Sequence, residues 1–134
     1  MTSKSITLNV WKENSEVVST VQGEVNSRFL EVTLLDNNGA IDLTDKSVKF
    51  QAKKPDGQVI FNDMSITDAS NGIVELELTS QISAVPGILK NCEILIIDES
   101  GDTLIVKGID IYVAPSLGES VIESVSEFTG YQLM

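Results

Sequence analysis

The sequence contains no histidine among its 134 residues. Without an imidazole, the chain cannot build Ser–His–Asp or Cys–His nucleophile systems, or a histidine-ligated zinc site. The glycine-rich phosphate-binding motifs G-x-x-x-x-G-K-[ST] and G-x-G-x-x-G are also absent from it. Two carboxylates would suffice for glycoside hydrolysis, but the acidic residues mostly fall in turns or at predicted solvent-facing strand positions. We therefore expect no catalytic residues, no cofactor and no metal.

Basic residues are scarce. Nine lysines and arginines stand against twenty acidic residues, which gives a net charge of −11. Such a chain repels phosphate backbones and anionic membrane surfaces, so we expect neither nucleic acid nor membrane as a partner. The segment Met1–Ser5 leads into a strand pattern without an apolar signal core, and no run is long enough to span a bilayer. We expect the chain to fold in the bacterial cytoplasm.

Cysteine and aromatic residues are also few. Cys92 is the single cysteine, so an intramolecular disulfide is impossible. It alternates with Ile94 and Ile96, which predicts a buried thiol. Aromatic residues make up 5% of the chain, so the core must consist mainly of Val, Ile and Leu. Such residues favour strands.

Period-two alternation of apolar and polar residues is the dominant pattern. Its apolar positions, predicted to face the core, are Ile6, Leu8, Val10; Leu30, Val32, Leu34; Val48, Phe50, Ala52; Val74, Leu76, Leu78; and Ile109, Ile111, Val113. Turn sequences separate these runs: Asp36–Gly39, Pro55–Gly57, Ser70–Gly72, Pro86–Gly87 and Asp98–Asp102. Short strands separated by turn sequences predict an all-β fold over residues 1–115. The predicted architecture is an antiparallel β-sandwich of the jelly-roll or Ig-like kind.

The segment Asp36–Asp42 is rich in potential oxygen ligands for calcium. When Asp36 is aligned with the first position of an EF-hand loop, Ala40 and Ile41 fall where a ligand and the required glycine belong. A hairpin turn is therefore predicted here instead of a calcium site.

The pattern changes after Pro115. Apolar residues at Leu117, Val121, Val125 and Phe128 have the spacing of one helical face. A short C-terminal helix is therefore predicted over residues 116–128, and residues 116–134 are predicted to be either the start of a helical linker or a tail. A helix this short needs a partner surface. It could pack on its own sandwich or form a contact between copies, and the spacing does not decide between them.

The order of strands and turns resembles the N-terminal domain of phage baseplate upper proteins, from tailed phages and prophages of Gram-positive bacteria. The similarity covers roughly residues 4–128. It is carried by Gly39–Gly57, Ile66–Asp68, Asn71–Val74, Leu78–Gln81, Pro86–Gly87, Cys92–Ile94 and Ile111–Val113.

The resemblance implies a virion structural protein whose β-sandwich head packs on the central tail hub. It also implies a helical linker leading towards receptor-binding proteins, with Leu117, Val121, Val125 and Phe128 in a contact between copies. A homo-oligomer is then expected, with a trimer favoured. The competing hypothesis is a carbohydrate- or cell-surface-binding module, in which Trp11, Tyr112 or Tyr131 would stack on sugars. We expect Trp11 instead to cover the edge of the core.

Overall fold

The computed structural model describes residues 2–25, 27–116 and 124–129. Ten strands and one short 3-10 turn, Ala69–Asn71, make up the regular structure of these residues. The strands are β1 (Thr2–Asn9), β2 (Glu16–Val21), β3 (Arg28–Asp36), β4 (Gly39–Ala40), β5 (Ser47–Lys53), β6 (Val59–Asp63), β7 (Ser65–Asp68), β8 (Ile73–Glu77), β9 (Gly87–Ile97) and β10 (Thr103–Ala114).

The strands form two sheets of five. The first sheet has the order β1-β3-β8-β7, with β4 paired to β3, and the second has the order β2-β10-β9-β5-β6. The prediction of an all-β sandwich is confirmed at this level. The β3–β4 hairpin closes at Asp36 and Gly39, as the turn sequence predicts.

The prediction of purely antiparallel sheets is wrong. Strand β1 runs parallel to β3, and β2 runs parallel to β10. The cause is the path of the chain at residues 10–15, which leaves the first sheet after β1 and enters the second at β2. Because β1 and β2 lie in different sheets, each pairs with a strand distant in sequence, and the mixed pairing follows.

The two sheets enclose one core between their inner faces. Thirteen of the predicted inward positions are buried: Ile6, Leu8, Leu30, Val32, Leu34, Val48, Phe50, Val74, Leu76, Leu78, Ile109, Ile111 and Val113. Val10 and Ala52 are partly buried against this core. Lys49 lies between the inward positions Val48 and Phe50, so alternation predicts an exposed side chain. It is instead buried and forms an ion pair with Asp63 of the neighbouring strand.

Two glycines allow backbone approaches that a side chain would block. Gly72 has a φ of 68°, and a Cβ there would lie 2.6 Å from the carbonyl oxygen of Leu34. Gly108 has a φ of 118° at a bulge in β10, and a Cβ would lie 2.4 Å from the carbonyl oxygen of Asn14. The side-chain amide of Asn14 also donates to the Lys107 carbonyl oxygen at 3.1 Å. The loop between the two sheets is thereby fixed against β10.

Candidate functional site

Of the four residues that were predicted to form a contact between copies, the structure describes two. Leu117 and Val121 lie outside the described residues. Val125 and Phe128 are described, and they are 46% and 51% exposed. Both are accessible to another molecule, and their role between copies stays a prediction.

The predicted helix is not seen in residues 124–129, which we call the edge segment. Glu127 forms an isolated parallel bridge with Ile60 of β6, and Thr129 lies in a turn. The Glu127 N–H donates to the Val59 carbonyl at 2.8 Å, and the Phe61 N–H donates to the Glu127 carbonyl at 2.7 Å. A sheet edge presents a row of backbone groups that need partners, whereas a helix of three turns is marginal in water. Pairing with the edge of β6 therefore prevails over the helical spacing of the apolar residues.

The side chain of Glu127 is held by two donors. One carboxylate oxygen, Oε1, accepts from Asn62 Nδ2 and from Thr79 Oγ1, both at 2.7 Å. Asn62 is buried, and its Oδ1 accepts the Thr129 N–H at 3.2 Å. Hydrogen bonds to an ionised group are stronger than those between neutral groups. Glu127 is therefore the central attachment of the edge segment.

Lys54 is a buried cation under the start of the edge segment. It is 2% exposed, and its Nζ donates to the Val125 carbonyl at 2.8 Å and to the carbonyl and side-chain oxygens of Gln81 at 3.1 and 3.0 Å. Burial lowers the pKa of Lys54 because it disfavours the charged form, and the negative charges of Asp56 and Glu127 partly oppose this effect. The lysine thus depends on neighbouring oxygens, including one from the edge segment.

The alternation of β5 contains a signal that could have identified Lys54. Continuing the inward series Val48, Phe50, Ala52 by two residues places Lys54 on the inner face. The other polar residues of this site carry no comparable signal, because they come from separate parts of the chain: Asn62, Thr79 and Gln81.

Exposed apolar side chains lie on the outer face of the second sheet. Tyr112 of β10 is directly opposite Ile88 of β9, and Val17 lies on the adjoining strand β2. All three are exposed. We call this trio the apolar patch. Tyr112 and Ile88 form a cross-strand pair, whereas Val17 lies directly opposite Asp110. Exposed apolar side chains on one sheet face are candidates for contacts with other proteins.

The outer face of the first sheet has a different character. Glu31 of β3 lies directly opposite Glu75 of β8, and Glu77 follows on the same face of β8. Among the described residues, none of these three carboxylates takes part in an ion pair. Like charges directly opposite each other repel, so this face is suited to contact with water.

A groove of about 440 Å³ lies on the outer face of the second sheet, beside the edge segment. Phe61 of β6 and Phe128 are both part of its lining, together with the polar residues Lys90 and Asn91 of β9. Asn91 has a φ of 54°, and its N–H donates to Asp110 Oδ1 at 2.9 Å. The edge segment therefore helps to shape the surface that this sheet presents.

The expectation that Trp11 covers the edge of the core is wrong, because Trp11 is 70% exposed. It lies in the loop between β1 and β2, where its N–H donates to Asn9 Oδ1 at 2.8 Å. The chain turns away from the first sheet at this loop, which carries the indole into solvent. Tyr112 is exposed as well, and Tyr131 lies outside the described residues.

The described residues contain no group of three or more His, Cys, Asp or Glu side chains placed to hold a metal. Asp36 Oδ1 instead accepts the Asn38 N–H at 2.8 Å within the β3–β4 hairpin. Cys92 is buried as predicted, and burial raises the pKa of its thiol to about 12. Across the described part of the chain, no helix has the length and apolarity to cross a membrane.

The fold and its surfaces define a class of protein. Two packed five-stranded sheets, with a further segment of the chain paired to the edge of one of them, define an all-β sandwich domain.

Comparison with known proteins identifies the family. The model of the BppU N-terminal domain family matches residues 2–134, and the chain belongs to this family. It is a family of structural phage baseplate proteins and not a known enzyme family, so the chain is assigned a structural role in a phage tail baseplate.

A solved structure has the same fold. It is the N-terminal domain of phage TP901-1 ORF48, which aligns with 85% of this chain and 99% of its own length. The TM-score is 0.71 and the sequence identity is 18%. A comparison with curated proteins finds no match.

Proposed function

We propose that the β-sandwich anchors this protein to the central hub of a phage tail and that the chain leads from it towards receptor-binding proteins. The observation that carries the proposal is the family match over residues 2–134. The fold shared with the TP901-1 ORF48 domain supports it. The division at residue 115 between the attachment domain and a linker or tail belongs to the same proposal.

The apolar patch, Val17, Ile88 and Tyr112, is the surface that we assign to the hub contact. These side chains are exposed on three adjacent strands of the second sheet, and their burial against a partner would remove apolar surface from water. The outer face of the first sheet, with its facing glutamates, is the poorer candidate because its charges would have to be desolvated.

Electron microscopy of phage particles tests this function. Antibody against residues 1–134 should label the tail tip of particles from the source strain. Particles carrying Tyr112→Asp should lack the label, whereas Asn38→Asp, which adds one negative charge at an exposed hairpin, should keep it. Unlabelled wild-type tails, with an antibody known to bind the native domain, would reject the baseplate assignment. Equal labelling of both variants would reject only the assignment of the patch.

Contact between copies is the second part of the proposal. We assign it to Leu117, Val121, Val125 and Phe128, with a homo-oligomer, a trimer favoured, as the product. The exposure of Val125 and Phe128 supports this assignment. Val121→Asp combined with Val125→Asp should lower the oligomer mass in light scattering while the circular dichroism of the sandwich is kept. An unchanged mass would move the contact elsewhere.

The exposure of Trp11 favours carbohydrate binding as a second candidate function, because an exposed indole can stack on a sugar ring. Binding to a broad glycan panel that is lost in Trp11→Ala, with the fold kept, would support it. No binding by the wild-type protein across that panel would reject it.

A further inference from the structure

Strand β10 is paired along only part of one of its two sides. On one side β9 pairs with it from Thr103 to Val113, whereas on the other side β2 pairs only with residues 109–114. Among the described residues, no strand lies beside Thr103–Lys107 on that second side. We call these five residues the open edge. The opposite edge of the same sheet, at β6, is bridged by the edge segment.

The backbone groups of every second residue in the open edge point away from β9. In an antiparallel ladder, residue pairs that exchange hydrogen bonds alternate with pairs that do not. The Asp98 N–H donates to the Asp102 carbonyl at 3.0 Å in the turn before the open edge, which makes this a hydrogen-bonded pair. The alternation then makes Thr103 and Ile105 members of pairs that are not hydrogen-bonded to β9. Their N–H and carbonyl groups are therefore directed outwards.

The carbonyl of Lys107 confirms this alternation. It accepts from Asn14 Nδ2 at 3.1 Å, and Asn14 belongs to the loop on the side away from β9. Among the described residues, the outward N–H and carbonyl groups of Thr103 and Ile105 have no hydrogen-bond partner. Backbone groups in this arrangement are ready to pair with an additional strand.

The open edge also lacks the features that prevent the addition of a strand. Exposed edges of natural sheets are protected by charged residues, by proline or by bulges. The run Thr103–Val106 contains no charge and no proline, and the bulge of β10 comes only at Gly108. Leu104 and Ile105 are 43% and 47% exposed, and aliphatic residues of this kind favour strands. The open edge is therefore suited to accept a strand.

A groove of about 690 Å³ provides room beside the open edge. Ile105 and Lys107 line one side of it, and residues of the loop 10–15 line the other. Strand β2 begins at Glu16, directly after this loop, and pairs with the next part of β10. A strand in the groove would therefore continue the line of β2, which carries Val17 of the apolar patch.

The side chains around the open edge indicate the kind of strand that fits. Ile105 lies opposite the half-buried Leu95 of β9, so an apolar residue of an added strand would pack beside Ile105. The turn before the open edge contains three carboxylates, those of Asp98, Glu99 and Asp102. In the described part of the chain none of them takes part in an ion pair. A lysine or arginine at that end of the added strand would be attracted to them.

We propose that the open edge is a docking site for an extended segment of another tail protein, which pairs with β10 as an additional strand. The segment has alternating apolar residues and a basic residue beside the turn 98–102. This inference deepens the proposed function by giving the sandwich a second contact, and it rests on that function only for the source of the segment. Backbone hydrogen bonds to Thr103 and Ile105 hold the segment, and the apolar contact with Ile105 sets its register.

Peptide binding to the purified chain tests the docking site. Short overlapping peptides from the other tail proteins of the same phage, and from this chain, are measured by fluorescence anisotropy. Ile105→Pro removes one outward N–H and leaves the hydrogen bonds to β9 in place. Ile105→Lys keeps that N–H but adds a positive charge that repels a basic peptide. The matched control is Val25→Lys, at a residue 52% exposed in the connection between β2 and β3.

We expect a peptide from another tail protein, with alternating apolar residues and a basic end, to bind and to slow amide exchange at Thr103 and Ile105. Each Ile105 variant should weaken this binding at least about tenfold, since a backbone hydrogen bond or the charge attraction is lost. Val25→Lys should bind like the wild type.

Three results would overturn the inference. The first is that no peptide from another tail protein binds, and the second is that the tightest peptide comes from this chain itself. The third is that the bound peptide leaves amide exchange at Thr103 and Ile105 unchanged in the wild type, a result that does not depend on how the variants fold. Labelling of the tail tip is a separate measurement, so failure of the docking site is distinguishable from failure of the baseplate role.

Discussion

Replacement of Glu127 by alanine should release the edge segment without unfolding the sandwich. The substitution removes the acceptor of Asn62 Nδ2 and Thr79 Oγ1. A buried donor that loses its partner costs about 1–3 kcal/mol. Asn62 is buried and Thr79 is only partly so, which sets the expected loss at roughly 2–4 kcal/mol for attachment of the segment.

Hydrogen exchange at the Phe61 amide measures this loss. That N–H donates to the Glu127 carbonyl at 2.7 Å, so it is protected only while the segment is in place. Each 1.4 kcal/mol changes an equilibrium about tenfold, and Phe61 exchange should therefore accelerate between roughly 30-fold and 700-fold. Urea unfolding followed by circular dichroism should change much less, because the core residues keep their contacts.

Two variants control the experiment. Glu13→Ala removes the same charge from an exposed loop residue and should leave Phe61 exchange unchanged. Glu127→Gln keeps an oxygen acceptor and should give a smaller effect than alanine. The reasoning is refuted if Glu127→Ala and Glu13→Ala give the same Phe61 exchange rate.

Three further predictions concern the core, the thiol and the response to acid. Phe50 is fully buried, so Phe50→Ala should lower the free energy of unfolding in urea by about 3–5 kcal/mol; a loss below about 1 kcal/mol would contradict its place in the core. Cys92 should resist iodoacetamide at pH 8 in the native protein and react after unfolding, because burial raises its pKa to about 12; labelling of the folded protein at the rate of a free thiol would contradict this. The pKa of Glu24 lies below its ordinary value of 4.5, mainly because of the hydrogen bond from Arg28. Its stabilising contribution is therefore present above pH 4.5 and is lost as the pH falls through the lowered folded-state pKa. Glu24→Gln should reduce stability at pH 7 by less than about 1 kcal/mol, as for other partly exposed pairs, and should flatten the decline below pH 4.5; an unchanged acid profile would count against the pair.

Strand positions could be predicted from sequence because alternation is a local property. In a strand with one face towards solvent and the other towards the core, apolar residues recur at every second position. The series Leu30, Val32, Leu34 shows this repeat directly. Turn residues such as Gly72 are also local, since their backbone requires a positive φ. Burial of Cys92 followed from the same repeat.

Strand pairing could not be predicted in the same way. The pairing of Ile109 with Glu16 joins residues far apart in the chain, and alternation is identical in parallel and antiparallel strands. Lys49 shows a related limit. The charge of its side chain predicts exposure to solvent, but the ion pair with Asp63 in the neighbouring strand allows Lys49 to be buried.

The edge segment shows most clearly the difference between what a local sequence pattern predicts and what tertiary structure decides. Leu117, Val121, Val125 and Phe128 have helical spacing, yet helical spacing stabilises a helix only where a partner surface receives its apolar face. In residues 124–129, the nearest available partner is the open edge of β6, with Lys54 and Asn62 behind it. By itself, the sequence determined an all-β chain with a buried Val, Ile and Leu core, a buried thiol and no histidine chemistry, because these depend on composition and on neighbours one or two residues away. The tertiary structure alone decided the parallel pairings, the exposure of Trp11 and the place of the edge segment, because each depends on which surfaces meet after the chain has folded.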